Sequence, residues 1–324
     1  MNRGGRDLHI STGETASMNE KNEPPDVGYV TANGIRIGYR EYGSGAPLLL
    51  IAGYTGRMDD WDPRIITALA AGFRVIVFDN RGMGETGSDG RPFSIELFAE
   101  DTRAFLDTLG IARAHICGHS MGSFVAQELA IRHPERVDGL VLASTLPAID
   151  SDRHTALTAF LGEIAEDTAS VDLTLRRLYG AAYAARHPEL AAVLRMNLTF
   201  LHTSGLFDPA SIRGQEQAIL SWPGSAGRLD RIRADTMVLV GTDDELSPPE
   251  DAVRVAAGIP GCWLIQVRGA GHDLFFQAPD LCAEVIRMVL SSPGLTPLPN
   301  HNPGGSAIPP PPPSPGPAGR QGPR

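Results

Sequence analysis

Short continuous apolar runs alternate along this chain with segments whose apolar residues recur every three or four positions. The runs occupy 47–51 (Pro-Leu-Leu-Leu-Ile), 73–78, 114–118, 137–143, 236–240 and 262–267. A strand buried on both faces needs such a run, because neither side of its pleat meets water. Between the runs lie helical patterns. Within 94–109 the apolar positions are Ile95, Leu97, Phe98, Phe105 and Leu106, and Gly110 closes the segment. Helical spacing also fills 123–132, 249–257 and 280–290, and Asp62-Pro63 opens one further helix. Ahead of all of these, 27–41 alternates apolar and polar residues about Asn33-Gly34, which predicts a β-hairpin. Strands alternating with helices predict a parallel sheet covered on both faces.

The alternation stops at Leu146-Pro147. From there to Trp222-Pro223 the spacing is helical only, with stripes at Leu157, Phe160, Leu161 and Ile164, then Leu175, Leu178, Tyr179 and Ala182, then Leu190, Val193, Leu194 and Leu198. A helical insertion between strands of one sheet predicts a cap. The expected organisation is therefore a polar leader over 1–25, a core built from 26–146 and 223–290, a helical cap over 147–222, and a tail over 291–324. The leader is rich in Gly, Ser, Asn and Glu, which predicts disorder, and Met18 is a second candidate start of translation. The tail is rich in Pro and Gly, with five consecutive prolines at 309–313, and carries no core residues.

Composition narrows the chemistry. The chain has 324 residues and a formal charge of −10, which argues against nucleic acid or an anionic membrane as a partner. No window approaches the ~20 apolar residues of a membrane span, and the leader lacks the apolar core of a secretory signal. Cys117, Cys262 and Cys282 are odd in number and sit in apolar runs, so reduced thiols and a cytoplasmic location are expected. Lys21 is the sole lysine and lies in the leader, which removes Schiff-base and P-loop chemistry. The nine histidines show no metal-ligand spacing, and no Gly-x-Gly-x-x-Gly follows a strand. No metal and no cofactor are expected. Side-chain nucleophile and acid–base chemistry on a small molecule remains.

One stretch fits that chemistry. The run 114–118 ends in Gly118-His119-Ser120-Met121-Gly122, and a helical pattern follows at once. Strand, sharp turn and helix around Gly-x-Ser-x-Gly is the context of a nucleophile elbow. Further on, Gly269-Ala-Gly-His272-Asp273 follows the last strand, and Gly241-Thr-Asp243-Asp244-Glu245-Leu-Ser-Pro248 follows the strand before it. Asp79-Asn-Arg-Gly-Met-Gly84 follows the strand over 73–78.

These four motifs, in the order they take along the chain (79–84, 118–122, 241–248, 269–273), resemble the cap-bearing serine hydrolase branch of the α/β-hydrolase fold family, over about 27–290. The resemblance implies a mostly parallel eight-stranded sheet with helices on both faces and a helical cap inserted after the sixth strand. It implies Ser120 as nucleophile and His272 as its general base. The third member is an acid that orients the imidazole. Family spacing selects Asp244, with Asp243 as the fallback; Asp150, beyond the strand after the elbow helix, is a remoter choice. The oxyanion hole then falls to the backbone amides of Met121, opening the elbow helix, and of Tyr54, after Gly53. Where the family usually has His-Gly this chain has Ala52-Gly53, so a bond that braces the loop is lost. Asp79 and Arg81 are expected to pin loops beneath the site, and cap aromatics Phe160, Tyr179, Tyr183, Phe200 and Phe207 to border an apolar pocket. The activity implied is cofactor-free hydrolysis of an ester or lactone. Carbon–carbon bond hydrolases, perhydrolases and triad-bearing small-molecule receptors share the same residues.

Overall fold

In the computed structural model, Asn33 and Gly34 both take positive φ (46° and 84°) and turn β1 (Gly28–Ala32) back onto β2 (Ile35–Tyr42). Two left-handed residues in a row make the turn whose twist matches that of paired strands. The structure describes residues 24–165, 170–205 and 207–291. Most of the leader, including Met18 and Lys21, and the proline-rich tail lie outside them.

After the hairpin come β3 (Ala46–Ile51), α1 (Pro63–Ala70), β4 (Phe73–Phe78), α2 (Ile95–Thr108), β5 (Ala114–His119), α3 (Met121–Arg132) and β6 (Val137–Ala143). The insertion follows this sixth strand as α4 (Ser151–Ala165), α5 (Val171–Tyr179), α6 (Ala181–Arg186), α7 (Leu190–Thr203) and α8 (Pro209–Leu220). The sheet then resumes with β7 (Asp235–Gly241), α9 (Pro249–Gly258), β8 (Trp263–Val267), α10 (Leu274–Gln277) and α11 (Pro279–Leu290). Helix starts follow the local chemistry. The Asp62 carboxylate accepts the Arg64 amide at 2.8 Å ahead of α1, and the Ser94 hydroxyl accepts the Leu97 amide at 3.1 Å ahead of α2.

The eight strands lie in the order β1-β2-β4-β3-β5-β6-β7-β8, and only the pairings of β2 are antiparallel. The period of two explains why the apolar runs are continuous. Leu48 and Leu50, Val75 and Val77, Val141 and Ala143, Met237 and Leu239 pack with α1 and α11 on one face. Their neighbours Leu49 and Ile51, Ile76 and Phe78, Leu140 and Leu142, Val238 and Val240 pack with α2, α3 and α9 on the other. The connection from β3 runs to β4 on one side, while β5 lies on its other side. A crevice opens at the carboxyl ends of strands where the order reverses in this way.

The insertion joins the second of these cores. Leu157, Phe160, Leu161 and Ile164 of α4 and Ile212 and Ile219 of α8 belong to the same buried cluster as Phe124 of α3. One stripe is broken. Leu175, Leu178, Tyr179 and Ala182 read as one helix in sequence, but α5 ends at Tyr179 and Gly180 turns the chain at φ 78°. A side chain at Gly180 would press on Asp243, so the break seats the insertion against the loop after β7.

Candidate active site

Ser120 sits between β5 and α3 with φ 54° and ψ −123°, a left-handed backbone that a non-glycine residue adopts only when its surroundings hold it. They do so from several sides. The Ser120 amide donates to the Ala143 carbonyl at 3.0 Å. A Cβ on Gly118 would strike the Gly122 carbonyl, and one on Gly122 would strike the Ile51 carbonyl, so both glycines permit the tight strand-to-helix approach.

Two loops from the same sheet edge meet this serine. His272, on the loop after β8, places Nε2 2.8 Å from Ser120 Oγ. Its Nδ1 lies 3.0 Å from each carboxylate oxygen of Asp244, on the loop after β7. His272 and Asp244 are buried. Burial opposes charging the imidazole, but the charge and hydrogen bond of Asp244 outweigh it and raise the His272 pKa above its ordinary value. Asp244 Oδ1 also accepts the amides of Leu246 at 3.0 Å and Ser247 at 2.8 Å. The fallback, Asp243, turns away: its Oδ1 accepts the Thr242 hydroxyl at 3.0 Å. Asp150 instead accepts the Arg153 amide at 3.0 Å, at the start of α4. The structure thus brings Ser120, His272 and Asp244 into one chain of hydrogen bonds and leaves Asp243 and Asp150 outside it.

Gly53, after β3, comes close to the elbow: a Cβ there would lie 3.1 Å from Ser120 Cβ. The Tyr54 amide that follows has no hydrogen-bond partner among the described residues. Met121 opens α3, where first-turn amides lack intrahelical acceptors and the helix dipole adds positive potential. Both residues line the cavity over Ser120.

That cavity holds about 370 Å³ beneath the insertion. Phe124, Leu146, Leu157, Phe160, Leu161 and Ile164 form part of an apolar wall, and Tyr179, Phe200 and Phe207 also border it. Tyr183 does not; it stacks on His187 with ring centroids 4.2 Å apart. The wall's Asp and Arg residues are Asp60, Asp62, Asp273 and Arg57. Burial pushes the Asp273 carboxyl up to about 6, against the pull of His272 and the Tyr179 hydroxyl.

Beneath the site, Asp79 accepts the amides of Met58 at 2.6 Å and Glu85 at 2.8 Å. Arg81, fully buried, clasps Asp101 through Nε at 2.8 Å and Nη2 at 2.6 Å. Three further residues hold the surrounding loops. Asn80 donates to the Ala52 carbonyl at 3.1 Å, Gln215 accepts the Thr55 amide at 2.8 Å, and Ser144 donates to the His272 carbonyl at 2.9 Å. All three are buried polar side chains in or beside apolar stretches, and no spacing or motif marks them. Among the described residues, no group of three His, Cys, Asp or Glu side chains is arranged to hold a metal ion.

A sequence model of the alpha/beta hydrolase fold matches residues 46–279, well over half of the chain. The chain belongs to the alpha/beta hydrolase fold family. Over 259 residues it is 31% identical to the putative non-heme bromoperoxidase BpoC of Mycobacterium tuberculosis, covering 76% of this chain and 94% of that one. It is 29% identical to the putative carbamate hydrolase RutD of Azorhizobium caulinodans over 266 residues, or 76% and 92% of the two chains. Among solved structures it resembles the enol-lactonase from Burkholderia xenovorans LB400, with a TM-score of 0.72, 26% identity, and coverage of 82% of this chain and 100% of the other. Hydrolase family membership, an eight-stranded sheet and a pocket sized for a small molecule agree with one another. No helix among the described residues is long and apolar enough to cross a membrane.

Proposed function

We propose that this hydrolase cleaves a carboxylic ester or lactone of a moderately apolar small molecule through an acyl-enzyme on Ser120, without a cofactor. The observation that carries the reading is the relay itself. Ser120 Oγ lies 2.8 Å from one nitrogen of an imidazole whose other nitrogen is 3.0 Å from the buried Asp244 carboxylate. With Nδ1–H donated to Asp244, the Nε2 lone pair is left to accept the serine proton.

In this reading Ser120 Oγ attacks the substrate carbonyl carbon as its proton passes to His272 Nε2. The carbonyl oxygen becomes an oxyanion held by the Tyr54 and Met121 amides, donors already in place before charge develops. Collapse of the tetrahedral species breaks the carbon–oxygen bond, and the leaving alkoxide takes the proton from Nε2. Water then gives a proton to the same nitrogen as its oxygen attacks the acyl carbon. The second collapse returns the proton to Ser120 and releases the acid. From a lactone, alcohol and acid are one molecule. The apolar wall favours a neutral acyl group, and the likeness to a structure described as an enol-lactonase supports the ring-opening version.

The similarity to a protein named as a non-heme bromoperoxidase favours one second reading. Hydrogen peroxide could replace water in attacking the acyl-enzyme, and the product would be a peracid. The deciding experiment is steady-state turnover of short p-nitrophenyl esters and small lactones, with and without peroxide. Sustained release that falls by roughly 10⁴-fold or more in Ser120→Ala is expected. A single stoichiometric burst would point to a ligand receptor, and peracid formed in preference to acid would favour the second reading.

A further inference from the structure

The oxyanion loop of this protein is held in a conformation that its own sequence resists. Gly53-Tyr54-Thr55-Gly56 forms a turn closed by the Gly56 amide donating to the Gly53 carbonyl at 3.2 Å. Thr55, third in the turn, has φ 58°, and Tyr54 does not share the positive φ. A left-handed residue at the third position defines a type II turn and calls for Gly or Asn. Threonine is β-branched, and for such a side chain positive φ is a genuine outlier. A flip of the Tyr54–Thr55 peptide would return Thr55 to negative φ and relieve the strain; the Tyr54 amide belongs to the preceding peptide and would be re-aimed as the φ and ψ of Tyr54 readjust to the flip.

Within the peptide itself the Thr55 hydroxyl donates to the Tyr54 carbonyl at 2.7 Å; from outside it, a side chain of the insertion opposes the flip. Gln215, on α8 of the insertion, is fully buried, and its Oε1 accepts the Thr55 amide at 2.8 Å. Its Nε2 has no partner among the described residues. A buried amide group without an acceptor costs stability, and the bond made by its oxygen is the gain set against that cost. Asn80 steadies the same loop two residues earlier, by donating to the Ala52 carbonyl at 3.1 Å, but it does not reach the strained peptide.

We infer that Gln215 is the positioning residue of the oxyanion hole: its side-chain carbonyl holds Thr55 in the left-handed conformation, so the Tyr54 amide stays aimed at the oxygen on the carbon that Ser120 attacks. This rests on the serine hydrolase reading above. It also replaces, with a residue from the insertion, the brace that the missing loop histidine would supply. The geometry of the hole then depends on how α8 is seated, which ties the insertion to catalysis without contact with the reacting atoms.

The test is Gln215→Met, which keeps the volume and removes the acceptor, assayed with a p-nitrophenyl ester and an alkyl boronic acid. The boronate mimics the tetrahedral state on Ser120. A fall in kcat of roughly 10- to 100-fold is expected, below the 10²–10³ of deleting a donor outright. KM should hardly move, and boronate affinity should fall with kcat. Adding Thr55→Gly, which removes the backbone strain, should recover most of the lost kcat. A variant that loses only thermal stability, or whose lost kcat Thr55→Gly does not restore, overturns the proposal. If Gln215→Met fails to fold, Gln215→Asn withdraws the same amide by one methylene and must show the same pattern. Retained turnover in these variants overturns this proposal alone. Absence of Ser120-dependent turnover in the wild type overturns the hydrolase reading and this proposal with it.

Discussion

The His119 ring donates its Nε2–H to the backbone carbonyl of His272 across 2.9 Å, so the residue before Ser120 holds the loop that carries His272. Burial, reinforced by the neighbouring His272, pushes the His119 pKa down to about 4. The ring is therefore neutral under working conditions, and the bond to a carbonyl places its one proton on Nε2. Ser144 donates to the same carbonyl at 2.9 Å. His119→Phe keeps a ring against Trp61 and Phe275 and removes the donor. A net bond of about 1 kcal/mol corresponds to a loss in kcat of about fivefold. Combining it with Ser144→Ala should cost more than either change alone, and kcat unchanged in the pair would disprove the role.

The two neighbouring aspartates separate cleanly. Asp244→Asn leaves the volume but offers His272 Nδ1 an amide, which favours the wrong tautomer, and kcat should fall by roughly 10⁴-fold. Asp243→Asn disturbs only a bond to Thr242 at 3.0 Å and should leave kcat near wild type. Kinetics of both variants on one ester settle the assignment; a larger loss in Asp243→Asn would reverse it.

The pH profile follows from the same contacts. An imidazolium cannot accept the serine proton, so activity must rise with pH as His272 deprotonates. Because burial is outweighed by Asp244, and Asp273 adds in the same direction, the His272 pKa is raised. The acid limb of kcat/KM should therefore lie above the ordinary histidine value of about 6.5. Asp273→Asn removes one negative neighbour and should move that limb to lower pH. A profile flat through this range, or a limb moving to higher pH in Asp273→Asn, would contradict the argument.

Stability has its own weak point. Arg81 and Asp101 form a two-bond ion pair whose side chains are 0% and 4% exposed. Arg81→Met strands the Asp101 carboxylate, to which the Asn33 amide at 2.6 Å is the remaining side-chain donor among the described residues, and it takes a partner from Asp89 as well. Breaking one side of a buried pair costs about 3–5 kcal/mol. Urea denaturation should show a loss of that order for Arg81→Met, and a smaller one for Arg81→Met combined with Asp101→Leu. A loss below about 1 kcal/mol would mean that the pair is not desolvated as the structure has it.

Much of this molecule is written in local chemistry. Six continuous apolar runs and a hairpin signal specify the strands, because a strand buried on both faces has no polar face to display. The run 47–51 appears as β3 with its side chains shared between two cores. Gly118-His119-Ser120-Met121-Gly122 is legible as an elbow because the backbone crowding it relieves is local, within five residues and one neighbouring strand. Asp244 and His272 each follow closely on the end of their own strand, but it is the family resemblance, not the local spacing, that singles out Asp244 from its neighbour Asp243.

Other features became visible only once distant segments met. The break at Gly180 is set by contact with Asp243, and no helical stripe can announce a collision with a loop sixty-odd residues away. Asn80, Ser144 and Gln215 read as ordinary polar residues until the fold buries each beside a backbone group that needs it. The sheet, the insertion and the turns that carry Ser120, Asp244 and His272 are thus consequences of periodicity and turn chemistry, already present in the order of the residues. Which buried polar groups meet the loops around those side chains emerges from the folded packing alone, because a hydrogen bond between residues 55 and 215 has no signature in either neighbourhood.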